Sequence, residues 1–349
     1  MILWTHHYAF QRFSHMAESF QRSLQNLLEN PAKAEFPLDV VLKEHKKNRK
    51  ESPFYRFCDR PWILPVTSFL GQCQNLSNSL SKEGIAKGCR NFLDTLGIQL
   101  RVFMEPKSRD ILSRHLPVLL VGEHPSSFGF DFFAVAASLA DISFPEDNLF
   151  FLGWLLVQGI IPGFRQWMFP ITVTHEEFGF RPQPNNRFGF FTDWVQTCAL
   201  KISRYASARF NAKSLDRLCR SWIDGNRIVI FPDGGPTTLP HWRSGLGHML
   251  IQAAKTVKQD ALEKFYILFF RTEGANDRLL LNPPIFSRYH LVRLLLKPKR
   301  QSIVVYYGSP FPFADIQKMM SRMKSKSVSE MLHKEYQKQI GNQRMETSL

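Results

Sequence analysis

An α/β domain with a mostly parallel central sheet flanked by helices, preceded by a helical N-terminal region, is the fold class that the sequence predicts. Three observations lead there. Short, mostly apolar runs such as Pro117-Val-Leu-Leu-Val-Gly122 and Arg227-Ile-Val-Ile-Phe231 are too brief for helices and suit strands covered on both faces. Stretches of helical period alternate with them, the pattern of β-α units. The composition, 44% apolar and 21% charged over 349 residues, is that of a chain with a sizeable core and not of a disordered one.

Taken in order, residues 1–100 read as the helical region. Phe20, Leu24, Leu27 and Leu28 fall at helical spacing, and Leu80 to Leu96 reads as a further amphipathic segment. Between them, Lys43 to Arg60 holds seven Lys and Arg around Pro53 and is expected to be an exposed basic connection, with lipid head-group contact as the alternative. The α/β domain is expected over 101–315. Its first clear strand is Pro117 to Gly122, and Asp131 then stands where a helix of Phe, Ala and Val begins, as an N-cap would. Leu149 to Phe164 is strongly apolar but broken by Gly153, Gln158, Gly159, Pro162 and Gly163, so a buried segment followed by a turn is expected, with a membrane-dipping segment as the alternative. Leu215, Leu218, Cys219, Trp222 and Ile223 form one helical face, with Asn211 or Ser214 as its cap and Asp224-Gly225-Asn226 as its stop. A strand over 227–231, a helix from Ser244 to Val257, and strands over 265–270 and 302–307 complete the alternation. Residues 316–349, rich in Lys with Met319, Met320, Met323 and Met331, read as a basic amphipathic tail.

Composition also limits the partners. Lys and Arg number 45 against 30 Asp and Glu, a formal net charge of +15, and there are 31 Phe. A positive balance suits nucleic acid, an anionic membrane surface or an acidic substrate. The five Cys are scattered with no paired spacing, which argues against a disulfide framework and against structural zinc. No apolar run of signal-peptide length opens the chain, and none spans a bilayer, so neither cleaved secretion nor a membrane crossing is expected.

Two segments carry residues suited to chemistry. Gly122-Glu-His-Pro-Ser-Ser-Phe-Gly-Phe-Asp131 places His124 just beyond a buried strand, where open α/β sheets bind ligands, with Asp131 within loop reach. An imidazole steadied by a carboxylate is the minimum equipment for general-base catalysis. The same residues also fit a His satisfied by turn backbone and an Asp that merely caps a helix. Downstream, Phe231-Pro232-Asp233-Gly234-Gly235-Pro236-Thr237 leads a strand into a turn able to present backbone N–H groups to an anionic or polar group.

Together these segments resemble the glycerolipid acyltransferase superfamily, typified by lysophosphatidic acid acyltransferases. Its members carry Asn-His-x-x-x-x-Asp after a hydrophobic strand, then a strand ending in Phe-Pro-Glu-Gly-Thr. His124 and Asp131 match the first pattern and Phe231, Pro232, Asp233 and Gly234 the second; Trp242-Arg-Ser-Gly245 and the strand ending Tyr-Gly-Ser-Pro310 follow in the family's order, so the likeness runs from about Pro117 to Pro312. Departures are Glu123 in place of Asn, an interval of six residues between His124 and Asp131, Asp233 in place of Glu, and Gly235 in place of Thr. The family's middle Ile-x-Arg is matched best by Ile202-Ser203-Arg204, with Arg209 a rival.

The resemblance implies transfer of a fatty acyl group from acyl-CoA or acyl-ACP, as co-substrate, to a hydroxyl of a lysophospholipid or glycerol phosphate-type acceptor. His124 would be the base and Asp131 its partner. Arg204, Phe231, Pro232, Asp233, Gly234 and Gly235 would bind substrate, and neither a metal nor any other cofactor is called for. An acyltransferase-like lipid-binding protein that no longer catalyses is the alternative. Other chemistries lack their signatures: there is no Gly-x-Ser-x-Gly, no Walker-type phosphate loop, no Gly-x-Gly-x-x-Gly and no nucleic-acid motif. No nucleic-acid partner is therefore expected. A cytoplasmic protein peripherally attached to an anionic membrane is, with Arg288 to Arg300 setting Leu and Val between cations as a docking segment would. An ordinary helix with its Leu face in the core fits that segment equally well.

Overall fold

The computed structural model describes residues 37–51, 66–114, 116–123, 130–142, 148–154, 157–158, 161–171, 208–233, 242–275, 302–320 and 322–341, with isolated positions before residue 37. Its centre is an eight-stranded sheet: β1 (Gln99–Phe103), β2 (Val118–Gly122), β3 (Leu149–Trp154), β4 (Met168–Ile171), β5 (Arg227–Ile230), β6 (Tyr266–Glu273), β7 (Ser302–Tyr307) and β8 (Phe311–Pro312). The order across the sheet is β1-β7-β6-β2-β5-β3-β4. Pairing is parallel throughout except where β7 and β8 run antiparallel to β6. The mostly parallel α/β class is thus observed.

The central strand β2 shows why. Val118, Leu119, Leu120 and Val121 are all fully buried, because β5 and β6 pair with it on either side and helices cover both faces. Alternate residues feed two cores. Val118 and Leu120 join one made with helices α2 (Val66–Glu83), α3 (Ile85–Thr95) and α5 (Phe130–Ser138). Leu119 and Val121 join the other, made with α6 (Ala208–Ile223), α7 (Ser244–Thr256), α8 (Phe313–Met320) and α9 (Ser325–Gly341). The remaining described helices are α1 (Pro37–Glu51) and α4 (Pro106–Ser113).

Several elements differ from what the sequence suggests. Residues 43–51, expected as an exposed connection, lie in α1, where Val41, His45 and Asn48 form a buried stripe at i, i+4 and i+7. Two polar members of that stripe hide its helical period from an apolar pattern. Strands β1, β3, β4 and β8 come in addition to the expected set. The apolar stretch from Leu149 opens as β3, whose aromatic run suits a strand, and Pro162–Gln166 makes the expected turn as a 3₁₀ segment. There Gly163 donates its N–H to Ser77 Oγ at 2.8 Å, and a Cβ on it would lie 2.7 Å from the Ser77 carbonyl oxygen, so α2 docks by close backbone approach. Helix α6 starts at Ala208, so Asn211 and Ser214 lie inside it and neither caps it. Gly225, at φ 98°, makes the expected stop.

Residues on both sides of position 100 share one core: Leu76, Leu80, Ile85 and Leu93 pack with Phe130, Phe133 and Phe164. The stretch from 316 onward forms most of α8 and the whole of α9, and Val328, Leu332, Tyr336 and Ile340 bury one stripe of α9 in the second core. At its crossing with α7, a Cβ on Gly247 would meet the Ser325 carbonyl oxygen at 1.9 Å. Positions 20, 24, 27, 28 and 288–300 lie outside the described residues.

Arg227 is fully buried at the start of β5, where its guanidinium donates to the carbonyls of Leu112 and Arg114 at the end of α4, and burial lowers its pKa to about 10. Burial also raises the thiols of Cys73 to about 12 and Cys219 to about 11. A thiolate is the reactive form, so neither thiol should be modified at pH 8 in the native protein, and both should label once denatured. Site-resolved mass spectrometry after alkylation checks this.

Candidate active site

The carboxyl edge of the sheet is where ligands bind in open α/β folds, and β2 and β5 reach it side by side. Leu119, Leu120 and Val121 stand opposite Ile228, Val229 and Ile230 in parallel register. The chain therefore leaves β2 through Gly122 and Glu123 beside the exit of β5 through Phe231, Pro232 and Asp233.

Gly122 permits a tight contact at this edge. A Cβ there would lie 2.4 Å from the Phe270 ring and 2.5 Å from the Phe270 carbonyl oxygen, closer than any side chain tolerates. Phe270 in turn packs edge-on against Phe231, with ring centres 5.5 Å apart.

Asp131 stands at the start of α5, the helix that follows the 124–129 connection. It is fully buried, with Oδ1 accepting the Phe132 N–H at 2.8 Å. The described helix opens at Phe130, so Asp131 belongs to the first turn and is not the N-cap. A carboxylate is favoured there by the amides and dipole of the helix start. Below it, Phe132 and Phe133 pack on Phe164, and Phe132 packs on Phe151. Ser138, at the far end of α5, bonds the Tyr307 hydroxyl at 2.6 Å.

On the opposite face, α7 and α9 hold the two strand exits. Arg243 donates its backbone N–H to the Pro232 carbonyl at 2.9 Å and its Nε to the Asp233 carbonyl at 3.2 Å. Ser329 Oγ donates to the Arg243 carbonyl at 2.9 Å and accepts the Gly247 N–H at 2.9 Å. Glu123, half exposed, faces His333 across 3.7 Å and lies beside the buried Tyr336. Burial first, and the Glu123 carboxylate second, push the Tyr336 phenol pKa upward.

Of the residues that the sequence singles out, Phe231, Pro232 and Asp233 are thus brought to the exit of β2, and Asp131 to the first turn of α5. His124, Arg204, Gly234 and Gly235 lie outside the described residues, as do the backbone of 276–301 and the side chain of Arg209. Sequence reasoning misses His333, Tyr336 and Ser329. Their only signal is that α9 carries ring and hydroxyl groups in register with its apolar stripe, which reads as ordinary packing. Among the described residues no three His, Cys, Asp or Glu side chains are grouped as a metal site. No described helix is long and apolar enough to cross a membrane.

Comparison with known proteins adds little. No protein-family model matches the chain, and neither does any curated protein. Among solved structures, the 1-acyl-sn-glycerophosphate (LPA) acyltransferase PlsC from Thermotoga maritima aligns at a TM-score of 0.37 and 10% identity, over 82% of this chain and 97% of that one. That likeness is too slight to assign the chain to a family.

The Asp131 geometry separates a hydrogen-bond role from a charge role. Asp131→Asn retains an acceptor for the Phe132 amide and gives up only the charge at the helix start, so it should be less destabilised than Asp131→Ala, which removes both and should lose about 1 kcal/mol or more. Urea denaturation of both variants checks this.

Proposed function

We propose that the protein is an acyltransferase that moves a fatty acyl group from an acyl thioester, acyl-CoA or acyl-ACP, to a hydroxyl of a lysophospholipid or glycerol phosphate-type acceptor. The observation that carries the reading is the juxtaposition of two sequence patterns. The segment opening toward His124 and the segment Phe231-Pro232-Asp233 leave the sheet from the carboxyl ends of neighbouring parallel strands, with Val121 opposite Ile230.

In this reading His124 takes the proton of the acceptor hydroxyl as its oxygen attacks the thioester carbonyl. The new C–O bond forms, the C–S bond breaks on collapse of the tetrahedral intermediate, and the departing thiolate takes the proton back from the imidazolium. Asp131 holds the imidazole in the productive tautomer, and backbone N–H groups of the turn around Gly234 and Gly235 steady the oxyanion. Arg204 meets the acceptor's phosphate. The net charge of +15 favours work at an anionic membrane surface, reached from the cytoplasm.

One observation favours a second reading, a lipid-binding protein of the same descent that does not catalyse: the Asp131 carboxylate already serves the Phe132 amide, a role that needs no reaction. Release of free thiol from acyl-CoA in the presence of lysophosphatidate distinguishes the two. Wild type should release it, and His124→Ala, with an unchanged circular dichroism spectrum, should be slower by ~10²–10⁴-fold. Equal rates in the two proteins, or lipid binding with no turnover, would leave the non-catalytic reading standing.

A further inference from the structure

Helix α9 meets both strand exits, although it lies more than 200 positions along the chain from β2 and about 100 from β5. Glu123 is the last described residue before the 124–129 connection, and its carboxylate faces two groups one helical turn apart on α9, His333 at 3.7 Å and Tyr336. The His333 side chain is only 14% exposed. Its ring is stacked on Trp242 with centres 5.0 Å apart and planes at 26°, and Tyr336, itself buried, packs on the same indole at 5.2 Å. The imidazole is thus held in one orientation by packing before it meets Glu123. One turn earlier in α9, Ser329 bonds the carbonyl of Arg243, which grips Pro232 and Asp233. A single helix therefore lies against the exits of both strands.

We infer that His333 is a positioning residue, which through Glu123 sets the point where the chain leaves β2 toward His124. The inference rests on the acyl-transfer reading for its consequence in catalysis, though not for the restraint itself. Exposed ion pairs contribute little to stability, and Glu123 is 46% exposed. The effect therefore lies in orientation and not in holding the fold together. The other charged and polar groups about the pair are Arg271, which is itself paired with Glu273 at 3.0 Å, Asp233, and Gln337, whose Nε2 lies 3.3 Å from His333 Nε2. At 3.7 Å the His333–Glu123 contact is longer than a hydrogen bond, and it is an ion pair when the imidazole is protonated. Misplacing a reacting group by about 1 Å costs up to ~10²-fold in rate, so a displaced His124 should lower kcat while leaving KM nearly unchanged.

The test is a double-mutant cycle on the full chain with Glu123→Ala, His333→Ala and their combination, with His333→Gln as the rescue variant. Two readouts are taken: steady-state kinetics of thiol release with lysophosphatidate, and amide hydrogen exchange of peptides covering 118–131. Each single variant should lower kcat by ~10-fold or more, and the double variant should fall no further, because the two residues act as one unit. His333→Gln, which keeps a polar side chain of similar reach facing Glu123, should recover part of the rate. Exchange over 118–131 should quicken in both single variants and stay unchanged over 208–230. Additive losses, an unchanged kcat in an active wild-type background, or unchanged exchange over 118–131 would overturn the inference. Should His333→Ala fail to fold without its stacking on Trp242, Glu123→Ala still decides, since its half-exposed side chain carries little packing. Should wild type release no thiol, the acyl-transfer reading falls, and the exchange measurement alone decides whether α9 restrains the loop.

Discussion

The contact between Gly122 and Phe270 is the constraint on which the arrangement of this protein turns. Strand β2 is hydrogen-bonded on both sides and covered on both faces, so it admits only apolar side chains, and at its last residue it admits none at all. The Phe270 ring that occupies the space of a Gly122 side chain also packs on Phe231 at the exit of β5 and on Tyr307 of β7, whose hydroxyl bonds Ser138 of α5. One close approach thus links β2, β6, the turn after β5, the neighbouring antiparallel strand and the helix that carries Asp131 in its first turn. Whatever chemistry the carboxyl edge performs, its frame is set by that absence of a side chain.

The aromatic content acquires a plain explanation in the described part of the chain. Phe132, Phe133, Phe151 and Phe164 are buried against one another between α5 and the sheet, and Phe265 and Phe313 pack around Trp222 on the other side. These rings fill the two cores that a sheet covered on both faces requires. An apolar channel for an acyl chain is a separate matter, which the Phe count does not address.

Much of the architecture was legible in the sequence because a strand buried on both faces has nothing but apolar residues to show. Val118 to Val121 and Ile228 to Ile230 announce themselves in this way, while Ser302 to Tyr307, buried at alternate residues, shows itself as a run of Ile, Val and Tyr. Helix α6 does the same through Leu215, Leu218 and Trp222 at helical spacing. Other elements were hidden for identifiable reasons. The buried stripe of α1 includes His45 and Asn48, so it does not look apolar, while the run from Leu149, read as a buried segment, is apolar throughout and carries no period that marks it as a strand. At the candidate site, the adjacency of the exits after β2 and β5 follows from strand order, which local pattern does not carry. The approach of His333 and Ser329 to those exits depends on packing between segments far apart in sequence, and nothing local to α9 reveals it.

In the proposed reaction the acyl group passes directly from thioester to acceptor hydroxyl at the edge where β2 and β5 end. Its most direct test is a single-turnover reaction of the protein with one equivalent of acyl-CoA and excess lysophosphatidate, followed by mass spectrometry of both lipid and intact protein. The account predicts one acylated lipid for each thiol released, and no protein species heavier by an acyl group at any time. Thiol release without acylated lipid, or an acyl adduct on the protein that forms and decays as lipid product appears, would contradict it.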